Sequence, residues 1–506
     1  MSPRVAQPAF RRWLRRSCGP IVGAALFALS TPAAAQMEPL DEELSVGEWT
    51  FYPSLELRLR GEYRRDPVDV GGDVYERWAI QYDGLDDSAV GRPVPGVIRR
   101  DPAVRDQYLL SERARLGMKV AWNVVTANLV LQDARVFGAL PGAPAGIDSG
   151  GEGTFAPYQA YLDVRSDMED PWLWVRVGRQ RVRWGDGRLI GDDDWGPRAA
   201  PFDAARMHFS FGDVDLELMG AMLAFPGAIP PRLGSAELQQ AVDGDGEPVN
   251  AQGTGAQLYG LMAQYQLFPL LGFEVTGLAR IAREPIPARL TRGDTYTIDG
   301  RIFGDHRGVS YAVEGAYQLG RVAGFGVNRD LSAFALAGRV SWLTALPWSF
   351  EFGARGAYAS GDDSGGQGTE LTRFDPILPT THEHHGMMDL YGWSNLIEAG
   401  GDVSARPHEM VLTSIGYTFV GLAEPGDRWS TANLVPVGAA PDNESRILGH
   451  EVDAMVEVRP WDPLGFGAGY GLMILGDGGK AILDAAGRGG GDLLHYGYLQ
   501  AELKVP

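Results

Sequence analysis

The chain has 506 residues, 44% of them hydrophobic, and a net charge of −20 from 45 basic and 65 acidic side chains. That balance argues against a nucleic-acid binder, which needs a basic surface to neutralise phosphates. Beyond residue 35 no apolar run approaches the roughly 20 residues of a spanning helix, so a helical membrane protein is excluded while a membrane barrel is not.

In chain order, residues 1–35 read as a secretory signal. Arg4, Arg11, Arg12, Arg15 and Arg16 precede the apolar stretch Ile21 to Leu29, and Thr31 to Ala35 offers a small-residue cleavage site before Gln36. Removing those five arginines takes the net charge from −20 to −25. Cys18 is the single cysteine and lies ahead of the apolar stretch, so the exported chain has no thiol or disulfide chemistry. Residues 36–53 are expected to be a short periplasmic segment and residues 54–506 a single domain.

From there the sequence alternates with period two. Leu55, Leu57 and Leu59 oppose Glu56, Arg58 and Arg60; Ala114, Leu116 and Met118 oppose Arg113, Arg115 and Lys119; Val452, Ala454 and Val456 oppose Glu451, Asp453 and Glu457. Alternation alone fits a soluble sandwich as well as a barrel. The connections decide between them. Tight links at Trp122-Asn123, Gly212-Asp213, Phe268-Pro269, Leu346-Pro347, Arg406-Pro407 and Pro460 to Pro463 alternate with long Gly/Pro/Asp-rich stretches. These are residues 64–107, 138–155, 184–202, 226–253, 361–388, 423–447 and 476–493. Short turns on one side and long loops on the other define an all-β transmembrane antiparallel barrel of about 18 strands. Strands are expected to start near 54, 109, 123, 157, 172, 203, 214, 255, 271, 294, 308, 331, 348, 389, 409, 448, 464 and 494. Trp172, Trp174, Trp342, Trp348, Trp461, Phe268 and Phe273 fall beside the short turns, where an interfacial girdle belongs. The last strand ends on Pro506 instead of the usual aromatic residue.

A barrel of this size is expected to enclose an aqueous channel. Its polar face carries Arg58, Arg60, Arg113, Arg115, Arg206, Arg280, Arg301, Arg339, Arg355 and Arg459, interspersed with Glu56, Asp163, Asp215, Glu217, Glu351, Asp402, Asp453 and Glu457. Only three basic residues are lysine (Lys119, Lys480 and Lys504). Guanidinium matches carboxylate and phosphate in bidentate geometry, so an arginine lining suits anions. A self-neutralising porin lumen is the plainer reading of the same residues. Between Val175 and Arg183 the parity fails, because Arg179, Arg181 and Arg183 share odd numbers with the apolar Val175 and Val177. Lipid-facing arginine at mid-depth costs roughly 2–4 kcal/mol, so either the strand leaves the membrane near Gly178 or a bulge flips its face.

Around this stretch and beyond it stand Gly178-Arg179-Gln180, Asp186 to Gly191, Asp194-Trp195-Gly196, Phe202-Asp203 with Arg206, Gln132 to Arg135 with Phe137-Gly138, Gly392 to Glu398, and Leu448 to Asp453. In these residues the sequence resembles the bacterial alginate-export outer-membrane porins. The resemblance implies a monomeric eighteen-stranded barrel, gated by loops, that exports an anionic uronate polysaccharide through an arginine-rich constriction. It implies Arg135, Arg179, Arg188, Arg198 and Arg206, with Asp133 and Asp203, as the charged pore positions, and periplasmic secretion-complex proteins as further partners beside outer-membrane lipid.

No phosphate loop, zinc helix motif or nucleophile elbow appears, and no cofactor is expected. His382 to His385 and Asp192 to Asp194 are the two tracts that suit metal ligands. Solvated loop charge, or pairing of the aspartates with nearby arginines, is the competing account, and no metal is assigned. No carboxylate spacing singles out an acid and a base, so an enzyme is not expected. Two functions remain: export of an acidic polysaccharide, or a general or anion-selective porin for uptake of small solutes.

Overall fold

The computed structural model describes residues 44–66, 68, 106–138, 154–197, 199–224, 255–282, 292–324, 327–363, 368–434, 436–485 and 491–505. The expected signal peptide, Arg198 and Pro506 lie outside the described residues.

Among the described residues, eighteen long strands form the wall. They are β1 (Trp49–Arg65), β2 (Asp106–Trp122), β3 (Val125–Phe137), β4 (Thr154–Arg165), β5 (Leu173–Gln180), β6 (Phe202–Phe211), β7 (Val214–Ala224), β8 (Ala256–Phe268) and β9 (Leu271–Ala282). The second half comprises β10 (Arg292–His306), β11 (Val309–Gly324), β12 (Val327–Leu343), β13 (Glu351–Ala359), β14 (Leu396–His408), β15 (Val411–Gly421), β16 (Ile447–Trp461), β17 (Leu464–Leu475) and β18 (Leu493–Val505). Each pairs antiparallel with its sequence neighbour, and β18 closes on β1 from Leu55↔Val505 to Arg65↔His495. Closure leaves the sheet without an open edge, which a lipid-embedded wall requires. The wall begins at Trp49, five residues before the expected start. The short strand Leu44–Val46 folds back on it as a hairpin.

Alternation sets the two faces. On β2, Tyr108, Leu110, Leu116, Met118 and Trp122 point outward and exposed, while Gln107, Leu109, Ser111, Arg113 and Arg115 point inward and are buried. Aromatic residues gather outward at the short-turn end, where Trp49 stacks on Trp122 at 5.7 Å and Trp172, Trp348 and Trp461 are exposed. Trp174 departs from the expected girdle: it sits opposite the inward-facing His208 and stacks on its ring at 5.2 Å.

The largest deviation from the expected strands is β14, which begins at Leu396 and not near 389. Residues before it are drawn into the barrel. There, Trp184, Ile190, Phe374, Ile377, Tyr391, Trp393 and Trp429 form one buried apolar cluster with inward wall residues such as Leu258 and Met262. The expected water-filled interior is therefore corrected: one part of it is a packed core built from connections. Fully burying each large side chain contributes about 1.5–3 kcal/mol, which makes these connections folded structure.

Candidate functional site: an arginine-rich lumen crossed by two inserted loops

The β5–β6 connection, over its described residues 181–197 and 199–201, crosses the lumen from wall to wall. It starts beside β6 and β7, where the Trp184 indole donates to Glu217 at 2.6 Å. Gly260 on β8 makes room for that ring, since a Cβ there would fall 2.4 Å from it. Asp186 then accepts from Arg301 on β10 at 2.6 Å, and Arg188 lies 3.6 Å from Glu314 on β11. The far end reaches β1 and β2. Arg58 donates to the Gly196 carbonyl at 2.8 Å, Arg113 to the Asp194 carbonyl at 2.9 Å, and Arg115 lies 2.8 Å from the Asp194 carboxylate.

The β13–β14 connection, over its described residues 360–363 and 368–395, enters alongside. Asp375 pairs with Arg280 on β9 at 2.9 Å, and the Met388 amide donates to Glu451 on β16 at 3.0 Å. The two inserted segments bond to each other through Gly191 N–H to Leu378 O (2.8 Å), Leu378 N–H to Leu189 O (2.9 Å) and Thr380 N–H to Gly187 O (2.8 Å). Trp195 is their aromatic junction. The Arg60 guanidinium covers it at 3.5 Å, the His382 ring stacks on it at 3.7 Å, and Tyr498 meets it edge-on at 5.3 Å.

Charges in this network are compensated at close range. Arg113 and Arg115 share Glu56, Arg206 pairs with Glu217 at 2.6 Å, and Arg183 makes a two-point contact with Glu383 at 2.6 and 2.8 Å. Burial alone would raise the Asp194 carboxyl, but Arg113, Arg115 and Arg181 hold it well below the usual carboxylate range. Its neighbour Asp193 has no such cations: burial pushes it up to about 6, against the lowering effect of the Thr381 hydrogen bond. Burial, reinforced by Arg188 and Arg183, pushes the His384 imidazole well below its ordinary value. Neutral His384 then donates from Nε2 to the Asp186 carbonyl at 2.7 Å.

One small cavity of about 30 Å³ lies against this assembly, lined by Arg188, Arg339, Arg355, His384, His385 and the carboxylates Glu383 and Asp402. Arg339 and Arg355 are direct cross-strand partners on β12 and β13, an arrangement of like charges that is unfavourable without a nearby anion. Arg355 donates to Glu398 at 2.9 Å and lies 3.6 Å from Asp402. The volume admits a water or two, or a single carboxylate-sized group.

Of the residues singled out in the sequence, Arg58, Arg60, Arg113, Arg115, Arg188, Arg206 and Arg355 are brought together in the lumen. Arg459 also has inward parity but sits near the periplasmic turn, donating to the Asp462 carbonyl at 3.4 Å. Arg135, Asp133, Arg179 and Asp203 are not brought to it. Asp133 and Arg135 alternate with the buried Ala134 and Val136 and bond each other at 2.9 Å beside Glu112 on β2. Arg179 holds Asp203 across β5 and β6 through two contacts of 2.9 and 2.6 Å. By parity with exposed Val177 and Ala205 both lie on the outer face, at the end of the wall where β5 stops. The parity conflict is resolved by the strand leaving the wall: Gly178 adopts φ +127°, β5 ends at Gln180, and Arg181 and Arg183 enter the lumen.

The histidine tract is not solvated. His384 and His385 are buried, and His382, His384 and His385 each contact an acceptor in Asp389, Asp186 or Glu398. Among the described residues no group of histidine and carboxylate side chains is placed to hold a metal ion. Asp192 and Asp194 pair with arginines, the second of the two accounts open for that run. Trp195 enters the sequence reading only as part of the Asp194-Trp195-Gly196 motif and Glu383 only as a member of the His382 to His385 tract, neither with a role of its own.

A closed antiparallel barrel with short turns at one end, long connections at the other and a girdle of aromatics is an outer-membrane β-barrel. The solved structures it resembles are porins of this kind. OccAB2 of Acinetobacter baumannii matches with a TM-score of 0.52 at 10% identity, covering 90% of this chain and 98% of its own. OccK9 (OpdG) of Pseudomonas aeruginosa matches with a TM-score of 0.52 at 12% identity over 90% and 98%. The outer membrane protein OprD of Pseudomonas aeruginosa matches with a TM-score of 0.50 at 11% identity over 90% and 93%. At these identities the likeness is one of fold. No curated protein matches the chain in sequence. The alginate export family matches residues 97–221 and 287–488, and the chain belongs to it.

Proposed function

We propose that the chain exports an anionic, uronate-type polysaccharide across the outer membrane. The observation that carries this reading is the meeting of Arg188, Arg339 and Arg355 around one small cavity beneath the inserted loops. Guanidinium groups that already share carboxylates at 2.9–3.6 Å exchange them for a passing uronate carboxylate at little net cost. Tight trapping is prevented by Glu383 and Asp402, which lie in the same cavity and compete for the cations. Membership of the alginate export family supports the substrate class. The inserted loops act as the barrier that displacement by the polymer opens, and the chain acts as a channel without covalent chemistry of its own.

Planar-bilayer conductance of the refolded barrel tests this, with polymannuronate or a neutral dextran of equal length added to one side. Block by the polyuronate alone is expected. Free permeation by small anions with no polymer effect would replace this reading with that of an uptake porin.

A further inference from the structure

The outer surface carries a feature that polymer passage does not use. Across β16, β17, β18, β1 and β2, the lipid-facing wall is indented by an apolar groove of about 470 Å³. Leu59, Leu110, Phe466 and Leu499 form its sides, and the small Gly61 and Ala501 form its floor. A groove of that size falls within the range of small-ligand sites, about 300–1,000 Å³. It straddles the seam where the last strand closes on the first.

Above the groove, toward the long-loop end, the same strands change character. Arg65 on β1 stands directly opposite His495 on β18. His495 Nδ1 lies 2.6 Å from the Tyr470 hydroxyl, and on the adjacent strands His450 Nδ1 lies 2.8 Å from Tyr417. Tyr63 and Tyr108 pack against each other at 5.1 Å on the β1–β2 side. Arg65 is half exposed and meets its nearest carboxylate, Asp66, only at 4.0 Å. Asp106, its other facing acid, accepts from the Tyr63 hydroxyl at 2.7 Å. In the lumen, by contrast, Arg113, Arg206 and Arg355 each sit within 3 Å of a carboxylate.

We propose that this face binds one outer-leaflet glycolipid phosphate, with Arg65 and His495 holding the phosphate and the groove holding an acyl chain. The long-loop end of such a barrel faces outward, which puts Arg65 at the headgroup level of the external leaflet. A guanidinium and an imidazole N–H both donate to phosphate oxygens, the guanidinium through charge-assisted hydrogen bonds. The tyrosines supply amphipathic surface at the same boundary. Apolar groove and cationic rim on the same five strands match the two halves of one amphiphile.

Native mass spectrometry of the full barrel in detergent, titrated with diphosphoryl lipid A or with phosphatidylglycerol, tests this assignment. One retained lipid A per barrel is expected, with at least fivefold weaker retention of phosphatidylglycerol. Arg65→Gln with His495→Gln should weaken lipid A retention about tenfold. Gly61→Leu should do the same from the other half of the site, because nothing lies within 4 Å of a Cβ at residue 61 and the added side chain fills the groove without a clash. Heat-modifiable migration on gels verifies that each variant is folded. Equal retention of both lipids, or folded variants that keep lipid A as tightly as the parent, overturns the proposal.

Discussion

Arg115 on strand β2 lies 2.8 Å from the carboxylate of Asp194, a residue of the inserted loop, and so ties the wall to the barrier inside it. The same carboxylate is 3.2 Å from Arg113, and both arginines also share Glu56.

Removing Asp194 should therefore free one end of the loop. Asp194→Ala leaves two buried guanidinium groups with a single shared counter-ion. One-sided loss of a fully buried pair costs about 3–5 kcal/mol, and less here because Asp194 keeps about a quarter of its surface. Single-channel conductance is expected to rise by at least twofold. Unchanged conductance would show that the loop is held elsewhere.

Trp195→Ala removes the surface that joins Arg60 to His382. A desolvated cation–π contact contributes about 2 kcal/mol and an aromatic pair about 0.5–1.5 kcal/mol. Proteolytic cleavage within 181–201 is expected to accelerate severalfold while the β-sheet circular dichroism stays constant. Trp195→Phe, which retains a ring, should recover most of the protection.

The acid pair Asp193 and Asp194 gives the loop opposite pH responses. Asp193 is raised to about 6, so its favourable contribution is complete below its ordinary range near pH 4 and is lost as pH rises through 6. Asp194 is lowered, so its contribution persists above the ordinary range and is lost only in strong acid. Hydrogen exchange of the loop amides should therefore speed up between pH 5 and 7 beyond the intrinsic chemical rate, by at most about tenfold. In Asp193→Asn that excess is expected to disappear.

Charge reversal at Arg355 tests the cavity without touching the outer rim. Arg355→Glu should abolish most polyuronate block, because it puts a third carboxylate beside Glu398 and Asp402. Arg179→Glu serves as the contrast, since its partner Asp203 and the exposed Val177 share the outer face. Block is expected to survive that change. The reverse outcome would move the binding site to the rim.

Most of the wall was legible because period-two patterning and turn chemistry are local. All eighteen expected strands exist, and the turns at Trp122-Asn123, Gly212-Asp213 and Phe268-Pro269 fall where expected. The inward or outward sense of Arg58, Arg60, Arg113 and Arg115 followed from the same pattern. What was not legible depends on chain folding back across the lumen. Nothing local says that Trp195 meets Arg60, 135 residues away, or that Glu383 meets Arg183, 200 residues away. The motif groups Arg135 and Arg179 with the pore, yet strand parity carries them outward with Asp133 and Asp203. Distance from a turn places Trp174 in the girdle, whereas one residue of register decides its face.

The three backbone hydrogen bonds between Gly187–Gly191 and Leu378–Thr380 have a mechanical consequence. Neither inserted segment can swing aside without breaking its bonds to the other, so the two behave as a crossbar anchored on opposite walls. A barrier of that kind yields in steps. Conductance records should show discrete jumps between a few levels, and a cysteine pair replacing Ile190 and Leu378, in a chain whose one native cysteine is Cys18, would latch the crossbar shut until reductant is added.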